Sequence, residues 1–429
     1  MYADAIRLAQ PSCRVQNRAP MPLCRLAILV LCLAPMAAAA APLDDALPDT
    51  VTRALADAGL PADALGAIAI PRTFWARTWQ HRADVPMQPG SAMKLVTTVV
   101  ALDRLGPNHR GRTELLATAP ISGEVLEGDL VLKGGADPDF DLPALWQLLF
   151  ELRQRGVREI GGALVLDRTL FRPARIDQGL APFDEAPQWP YNVIPDALML
   201  EGNLLRYSIT SDATRVQART LPALPGVEID GSALALSATP CADWDDDWLP
   251  PTVSQPEPGR WRIALAGAFA RDCAAQARLQ LLDRSVAAER LVRAVWAGLG
   301  GTWRQPLGAV HEAATPAGSV RIAQHESRPW GEVLRSMNKS SDNPISRLLY
   351  LQLGVAAMAD DASTSTLDLA RREVERWFDA KRIARDGLVM DNGSGLSRSE
   401  RIAPRTMAHM IDAALRGRAA PWLATAGAG

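Results

Sequence analysis

Ser91 and Lys94 stand three residues apart in the stretch QPGSAMKLVTTVVALDRLGP. Residues at positions i and i+3 share one face of a helix, so these two side chains are expected to be neighbours. A serine hydroxyl becomes an effective nucleophile only when a nearby base takes its proton. A buried lysine can be neutral and act as that base, whereas an arginine stays charged. The pair predicts a serine activated for attack on a carbonyl.

Lysine is rare in this chain, which contains 46 basic residues of which only four are lysine: Lys94, Lys133, Lys339 and Lys381. Arginine fills the other basic positions, which favours a role for Lys94 that requires deprotonation. The N-terminus of a helix also presents its N–H groups and positive dipole end to a developing oxyanion. Ser-x-x-Lys by itself is a common pattern, and a solvated surface lysine is the alternative.

A second polar group, Ser341, Asp342 and Asn343, lies in KSSDNPISRLL at the junction of two predicted helices. Ser341 could relay a proton to or from Lys94, and Asn343 could bind a substrate amide. The alternative is structural, with Asn343 as the helix cap and Pro344 at the first helical position.

Apolar spacing predicts the elements that position these residues. The Ser91 segment forms a helix that starts after Pro89 and Gly90 and stops at Gly106 and Pro107. A strand hairpin is expected over 65–71 and 74–84. Further helices are expected at about 47–58, 285–300, 330–339, 344–354, 366–380 and 404–417.

Short alternating runs separated by Gly, Pro and Asp fill residues 111–317, which predicts inserted β-rich subdomains with one late helix. The remaining segments, 42–110 and 318–429, would form one discontinuous catalytic domain. Cys241 and Cys273 lie within the insertion and are expected to form a disulfide in an oxidising compartment, with two separate thiols as the alternative.

The N-terminal region predicts export. Arg25, the apolar run 26–33 and the small residues 37–41 have the layout of a signal peptide, with cleavage near Ala41 and a more natural start at Met21. The apolar run is too short for a stable membrane span. The net charge of −2 gives no electrostatic reason to expect nucleic acid. These features favour a periplasmic protein.

Ser-x-x-Lys followed far downstream by Ser-Asp-Asn resembles the signature of penicillin-binding proteins and class A β-lactamases. The stretches GDLVLKGGADPDF, SMNKSSDNPISRLL and DNGSGLSRSERIAP narrow the resemblance to the class C low-molecular-mass penicillin-binding proteins, over about residues 67–415. That family comprises D-alanyl-D-alanine carboxypeptidases and endopeptidases with large insertions. The insertion argues against a β-lactamase or esterase relative.

The resemblance implies an α+β fold of the serine β-lactamase/transpeptidase type, with a five-stranded antiparallel sheet flanked by helices and β-rich insertions. It implies that Ser91 attacks the D-Ala-D-Ala bond of a peptidoglycan stem peptide, or a β-lactam, with Lys94 as base and Ser341 and Asn343 completing the site. No metal or cofactor is implied. Arg398 could contact a stem-peptide carboxylate; pairing with Asp391 is the alternative.

The family's third motif, Lys-Thr-Gly on a strand, has no counterpart after residue 398. That strand would supply a cation for the substrate carboxylate and the second N–H of the oxyanion hole. We therefore expect a product truncated before this motif, with C-terminal strands missing from the sheet. Two hypotheses follow, namely a D,D-peptidase of impaired activity and a remnant that only binds peptidoglycan peptide.

Overall fold

The computed structural model describes residues 46–71, 75, 77–358, 363–417 and 419–422. The predicted signal peptide, 1–41, lies outside these ranges. No helix within them is both long enough and apolar enough to cross a membrane. The described α-helices are α1 Asp49–Asp57, α2 Met93–Arg104, α3 Leu142–Gln154, α4 Arg284–Gly298, α5 Trp330–Ser340, α6 Asn343–Ala356, α7 Thr366–Lys381 and α8 Pro404–Leu415.

Short strands dominate the middle of the chain. In chain order they are β1 Ala67–Ala69, β2 Trp79–His81, β3 Arg112–Ala117, β4 Ile121–Ser122, β5 Val125–Leu126, β6 Leu130–Gly135, β7 Glu159–Ile160, β8 Leu164–Asp167, β9 Leu205–Ser211, β10 Val216–Thr220, β11 Val227–Ser237, β12 Trp248–Glu257, β13 Arg260–Ala270, β14 Ala274–Leu279, β15 Thr302–Trp303, β16 Val310–Glu312 and β17 Val320–Glu326.

These strands form five sheets in the described part of the chain. The largest has the order β16-β8-β6-β3-β17, with parallel pairs at β16-β8 and β8-β6 and antiparallel pairs at β6-β3 and β3-β17. The others are β15-β7-β5-β4, β10-β9-β14, β11-β13-β12 and the antiparallel pair β1-β2. The mixed helix and sheet composition confirms the α+β class.

The five-stranded sheet does not lie where the resemblance implies one. It is mixed rather than antiparallel, and four of its five strands lie within residues 111–317. Within the described residues, the expected antiparallel sheet of the catalytic part is represented by β1 and β2, paired from Ala67 with His81 to Ala69 with Trp79. This pair packs against α8, as a flanking helix should.

Helix α3 is absent from the sequence prediction, which expects a single helix in the insertion. Asp141 caps it by accepting a hydrogen bond from the N–H of Ala144, and Pro143 occupies the first turn. Its apolar residues include Leu145, Leu148 and Leu152, all buried in the core of the insertion. An Asp cap followed by Pro is a recognisable helix start, but the flanking strand patterns obscured it.

The discontinuous organisation remains a proposal, refined by strand pairing. Strand β17 pairs with β3 from Val320 opposite Ala117 to Glu326 opposite Arg112. This pairing favours an end of the insertion near residue 326 instead of 317. Within the insertion, a disulfide joins Cys241 to Cys273, whose Cα atoms lie 5.4 Å apart.

Helix α2 is buried on nearly every side. Nine of its twelve residues are buried, among them Val96, Val99 and Val100. They pack in one apolar cluster with aromatic side chains from the later helices, such as Trp330 and Tyr350. Helices from the far end of the sequence therefore enclose the segment that carries Lys94.

Candidate active site

Ser91 lies in a 3-10 turn, Gly90–Ala92, that leads directly into α2. Lys94 occupies the first turn of α2, and its Nζ donates a hydrogen bond to the Oγ of Ser91 over 3.1 Å. The structure thus brings the two side chains into direct contact at the N-terminal end of a helix. Unpaired N–H groups and the positive dipole end at this position favour negative charge on a bound group.

The Lys94 side chain is only 2% exposed, and two further acceptors surround its amine. Nζ donates to Oδ1 of Asn343 and to the carbonyl oxygen of Ser394, each over 2.6 Å. A neutral amine has two N–H groups and one lone pair. When the two carbonyl oxygens take both N–H groups, the lone pair is left to accept the proton of Ser91.

Burial lowers the pKa of Lys94 from 10.5 to about 8. The negative charges of Asp342 and Glu400 act in the opposite direction, while the positive charge of Arg347 lowers the pKa further. A base works best when its pKa lies close to the operating pH. Lys94 therefore has both the geometry and the pKa that a general base for Ser91 requires.

Ser341 also contacts Ser91. It ends α5 in a left-handed backbone conformation, with φ of +57°. Its Oγ donates to the Oγ of Ser91 over 2.7 Å. Left-handed conformations are unfavourable for residues other than glycine and occur often at functional sites. The turn aims Ser341 at Ser91; no hydrogen bond between Ser341 and Lys94 occurs among the described contacts.

The cap of α6 is Asp342 and not Asn343, contrary to the structural alternative from the sequence. Asp342 accepts a hydrogen bond from the N–H of Ile345. Asn343 is the first helical residue, and its side chain bridges Lys94 and the carbonyl oxygen of Tyr191, to which Nδ2 donates over 3.2 Å. Asn343 therefore fixes the lysine and ties it to the insertion.

The glycine-rich loop 391–397 forms another wall of the site. Gly395 has φ of +84° and lies so close to the start of α2 that a Cβ there would overlap the carbonyl oxygen of Gly90. Gly393 has φ of +73°, and a Cβ there would lie 2.7 Å from Oγ1 of Thr97. Sequence reasoning missed the role of this loop because the atom that contacts Lys94, the carbonyl oxygen of Ser394, is a backbone atom.

Arg398 lies apart from the Ser91 contacts. Its guanidinium donates to the carbonyl oxygen of Phe183 over 3.1 Å and lies 4.9 Å from the centre of that ring. No ion pair joins Arg398 to Asp391 in the described part of the chain. The alternative prediction, that Arg398 pairs with Asp391, is therefore wrong. Arg398 and Phe183 instead line a cavity of about 370 Å³.

A larger cavity, of about 960 Å³, opens beside Ser341. The catalytic part contributes Ser341 and Asn343, and the insertion contributes Asp139, Tyr191 and Arg278 among others. Residues 138–278 and the junction of α5 and α6 thus line one groove, which includes Ser341, the residue whose Oγ contacts Ser91. Within the described ranges, no cluster of three or more His, Cys, Asp or Glu side chains could hold a metal ion.

A serine in contact with a buried lysine and with a second serine, next to a large β-rich insertion, is the arrangement of a class C low-molecular-mass penicillin-binding protein. The sequence model of the D-Ala-D-Ala carboxypeptidase 3 (S13) family matches residues 47–425. The chain belongs to this family, which confirms the resemblance drawn from the motifs.

Two curated relatives are named as D-alanyl-D-alanine carboxypeptidases. The D-alanyl-D-alanine carboxypeptidase of Actinomadura sp. (strain R39) is 27% identical over 390 residues, covering 88% of this chain and 69% of the relative. The D-alanyl-D-alanine carboxypeptidase DacB of Haemophilus influenzae is 24% identical over 329 residues, covering 76% of this chain and 66% of the relative. The chain spans about two thirds of the length of each.

Among solved structures, the fold is similar to that of penicillin binding protein 4 (dacB) from Haemophilus influenzae. The TM-score is 0.61 at 23% sequence identity, and the match covers 78% of this chain and 71% of that protein. At this identity the likeness concerns the fold. It confirms a transpeptidase-like architecture with additional subdomains.

Proposed function

We propose that this protein is a serine-type D-Ala-D-Ala carboxypeptidase and endopeptidase that acts on peptidoglycan stem peptides in the periplasm. The observation that carries the proposal is the position of the Ser91 hydroxyl between Lys94 Nζ, at 3.1 Å, and Ser341 Oγ, at 2.7 Å. Family membership and the two carboxypeptidase relatives support the same reaction. The groove of about 960 Å³, which is lined by Ser341 and Asn343, offers space for a stem peptide.

In the acylation step, the Oγ of Ser91 attacks the carbonyl carbon of the D-Ala-D-Ala bond while its proton passes to Nζ of Lys94. The backbone N–H of Ser91, at the start of the helix, stabilises the oxyanion. Lys94 returns the proton, through Ser341, to the nitrogen of the leaving D-alanine. The carbon–nitrogen bond then breaks, which leaves the stem peptide esterified to Ser91.

In the second step, water attacks the ester while Lys94 accepts a proton from it. The bond from the carbonyl carbon to Oγ of Ser91 then breaks, Lys94 returns the proton to Oγ, and the shortened peptide leaves as a carboxylic acid. The same sequence applied to an amide between two stem peptides is the endopeptidase reaction. A β-lactam acylates Ser91 through the amide bond of its ring, and the opened ring stays attached. The Haemophilus influenzae protein has been solved in complex with a β-lactam, which supports this extension.

The proposal is tested by the intact mass of the purified protein after incubation with benzylpenicillin. One acyl adduct per chain, absent in Ser91→Ala, is the expected result. A folded wild-type protein that gains no mass would overturn the proposal and favour binding of peptidoglycan peptide without catalysis. An adduct that persists in Ser91→Ala would assign the nucleophile to another residue. Release of D-alanine from a stem pentapeptide then measures the hydrolytic step directly.

A further inference from the structure

Glu400 is a fully buried carboxylate, 0% exposed, that contacts backbone instead of a basic side chain. Its Oε1 accepts hydrogen bonds from the N–H groups of Asp391, Asn392 and Gly393 over 3.1, 3.0 and 2.7 Å. Its Oε2 accepts from the N–H of Gly395 over 2.8 Å. No ion pair involves Glu400 among the described residues. Burial raises the pKa of this carboxyl, and the four N–H groups act in the opposite direction by stabilising its charged form.

The hydrogen bond from Gly395 connects this carboxylate to the catalytic lysine. The N–H of Gly395 and the carbonyl of Ser394 belong to one planar, trans peptide unit, so they point in opposite directions. The N–H side is held by Glu400, and the carbonyl side accepts the hydrogen bond from Lys94 Nζ over 2.6 Å. The orientation of this single peptide plane therefore couples Glu400 to Lys94.

The neighbouring peptide units are fixed as well. The carbonyl oxygen of Gly393 accepts hydrogen bonds from Oγ1 of Thr97, on α2, and from Oγ of Ser346, on α6. The N–H of Ser394 donates to Oδ1 of Asn392 over 3.0 Å. Among the described contacts between this loop and the helices, the one that reaches the amine of Lys94 is made by the Ser394 carbonyl.

We propose that Glu400 is a positioning residue for the general base, holding the Ser394 carbonyl against Lys94 so that the lysine lone pair faces Ser91. The inference rests on the proposed role of Lys94. It adds a residue that lies outside the Ser-x-x-Lys and Ser-Asp-Asn motifs and that contacts neither the nucleophile nor the groove beside it.

The charges around the lysine give the sign of the expected effect. Asp342 and Glu400 raise the pKa of Lys94, whereas Arg347 and burial lower it. The charge of Glu400 also raises the pKa of Arg347 and of Tyr350. Removal of the Glu400 charge, or rotation of the Ser394 carbonyl away from Nζ, favours the neutral amine. Both changes lower the pKa of Lys94 below its present value.

Only four lysines occur in the sequence, so ¹³Cε-lysine labelling gives few NMR signals, and the Lys94 signal is assigned by its loss in Lys94→Arg. In Glu400→Gln, which removes the charge but keeps most of the shape, we expect the Lys94 midpoint to fall by about half a pH unit or more, within the range that neighbouring charges produce. Glu400→Asp keeps the charge but cannot span all four N–H groups, and we expect a smaller fall.

Glu289→Gln is the matched control. Glu289 is also a buried glutamate, and it accepts hydrogen bonds from Arg290, Arg293 and the N–H of Gly308. It lies on α4 in the insertion and is not among the charges that act on Lys94. We expect Glu289→Gln to leave the Lys94 midpoint where it is.

A folded Glu400→Gln protein with the wild-type Lys94 midpoint would overturn the inference. If Glu400→Gln does not fold, the test uses Glu400→Asp. An unchanged Lys94 midpoint in Glu400→Asp, together with a lowered melting temperature, would show that Glu400 has a purely structural role. Benzylpenicillin acylation separates this outcome from failure of the proposed function. A wild-type protein without an adduct refutes the function, whereas the NMR midpoints still test the coupling of Glu400 to Lys94.

Discussion

The Oγ of Ser341 lies 2.7 Å from the Oγ of Ser91, closer to the nucleophile than the Nζ of Lys94 at 3.1 Å. The two groups meet across a sequence separation of 250 residues. A hydroxyl can both donate and accept a hydrogen bond, so Ser341 can pass a proton between the lysine base and the departing amine. The second serine is therefore part of the proton path in our proposal.

Ser341→Ala should slow acylation by benzylpenicillin by about 10²-fold, the lower end of the range for positioned proton transfer, because Lys94 still activates Ser91. The rate is measured by the growth of the acyl adduct in intact-mass spectra. Ser340→Ala is the matched control, since the neighbouring Ser340 hydroxyl donates to the carbonyl oxygen of Ser336 and has no hydrogen bond to Ser91 among the described contacts. Equal rates in the Ser341→Ala and wild-type proteins would remove Ser341 from the proton path.

The rate of Ser91 acylation should increase with pH and level off above about pH 8. The neutral amine is the active form of Lys94, and its pKa lies at about 8 because burial disfavours the ammonium. Below that pH, the rate should fall about tenfold for each unit, as the neutral fraction does. Stopped-flow acylation from pH 6 to 10 measures the profile. A rate that is flat or decreases over this interval would exclude a lysine base.

Gly395→Ala should reduce both stability and acylation, because its Cβ would overlap the carbonyl oxygen of Gly90 and displace the loop that holds Ser394. Gly106 provides a control with the same φ, +84°, and open space around the added methyl group. Gly106→Ala should cost only the left-handed backbone penalty, about 1–2 kcal/mol, and keep the wild-type acylation rate.

Thermal unfolding monitored by circular dichroism, together with the benzylpenicillin rate, compares the two glycine variants. The Gly395 variant should unfold at the lower temperature of the two and acylate more slowly. Equal losses of stability and full activity in both proteins would show that the close approach of the loop to the start of α2 is unimportant for the site.

The double variant Cys241→Ser/Cys273→Ser should lower the free energy of unfolding by about 3–4 kcal/mol, the range for a loop of this size. The disulfide closes a separation of 32 residues within the insertion. Because neither cysteine contacts Ser91 or Lys94, the acylation rate at 25 °C should not change. Intact mass under non-reducing conditions checks the bond itself, and two alkylatable thiols in native protein would contradict it.

Local sequence patterns predict the helices of the catalytic part well. The helix that carries Lys94 and the helix pair around Ser341 follow from apolar periodicity and from Gly and Pro at their ends. The short strands of the insertion were expected as a class, but their order in five sheets depends on long-range pairing that no local pattern encodes. The sequence analysis did not predict helix α3, because the segments before and after it in the sequence have the alternating pattern of strands.

Motifs identify side chains, and so they identify only part of the site. The types and spacing of residues predict Ser91, Lys94, Ser341 and Asn343, whose side chains the structure brings together. The Ser394 carbonyl is a backbone group, and Glu400 contacts only backbone N–H groups, so neither has a side-chain pattern that points to the lysine. The cap of α6 was assigned to the wrong neighbour because Asp342 and Asn343 are both good caps.

The two carbonyl groups that enclose the Lys94 amine belong to residues 249 and 300 positions further along the chain. A ribosome that has just completed α2 has therefore made a lysine with an ordinary solvated ammonium beside an inert serine. Synthesis must pass through the whole insertion, and the chain must then fold back, before the amine is desolvated. A reactive serine therefore appears only when the fold around it is nearly complete.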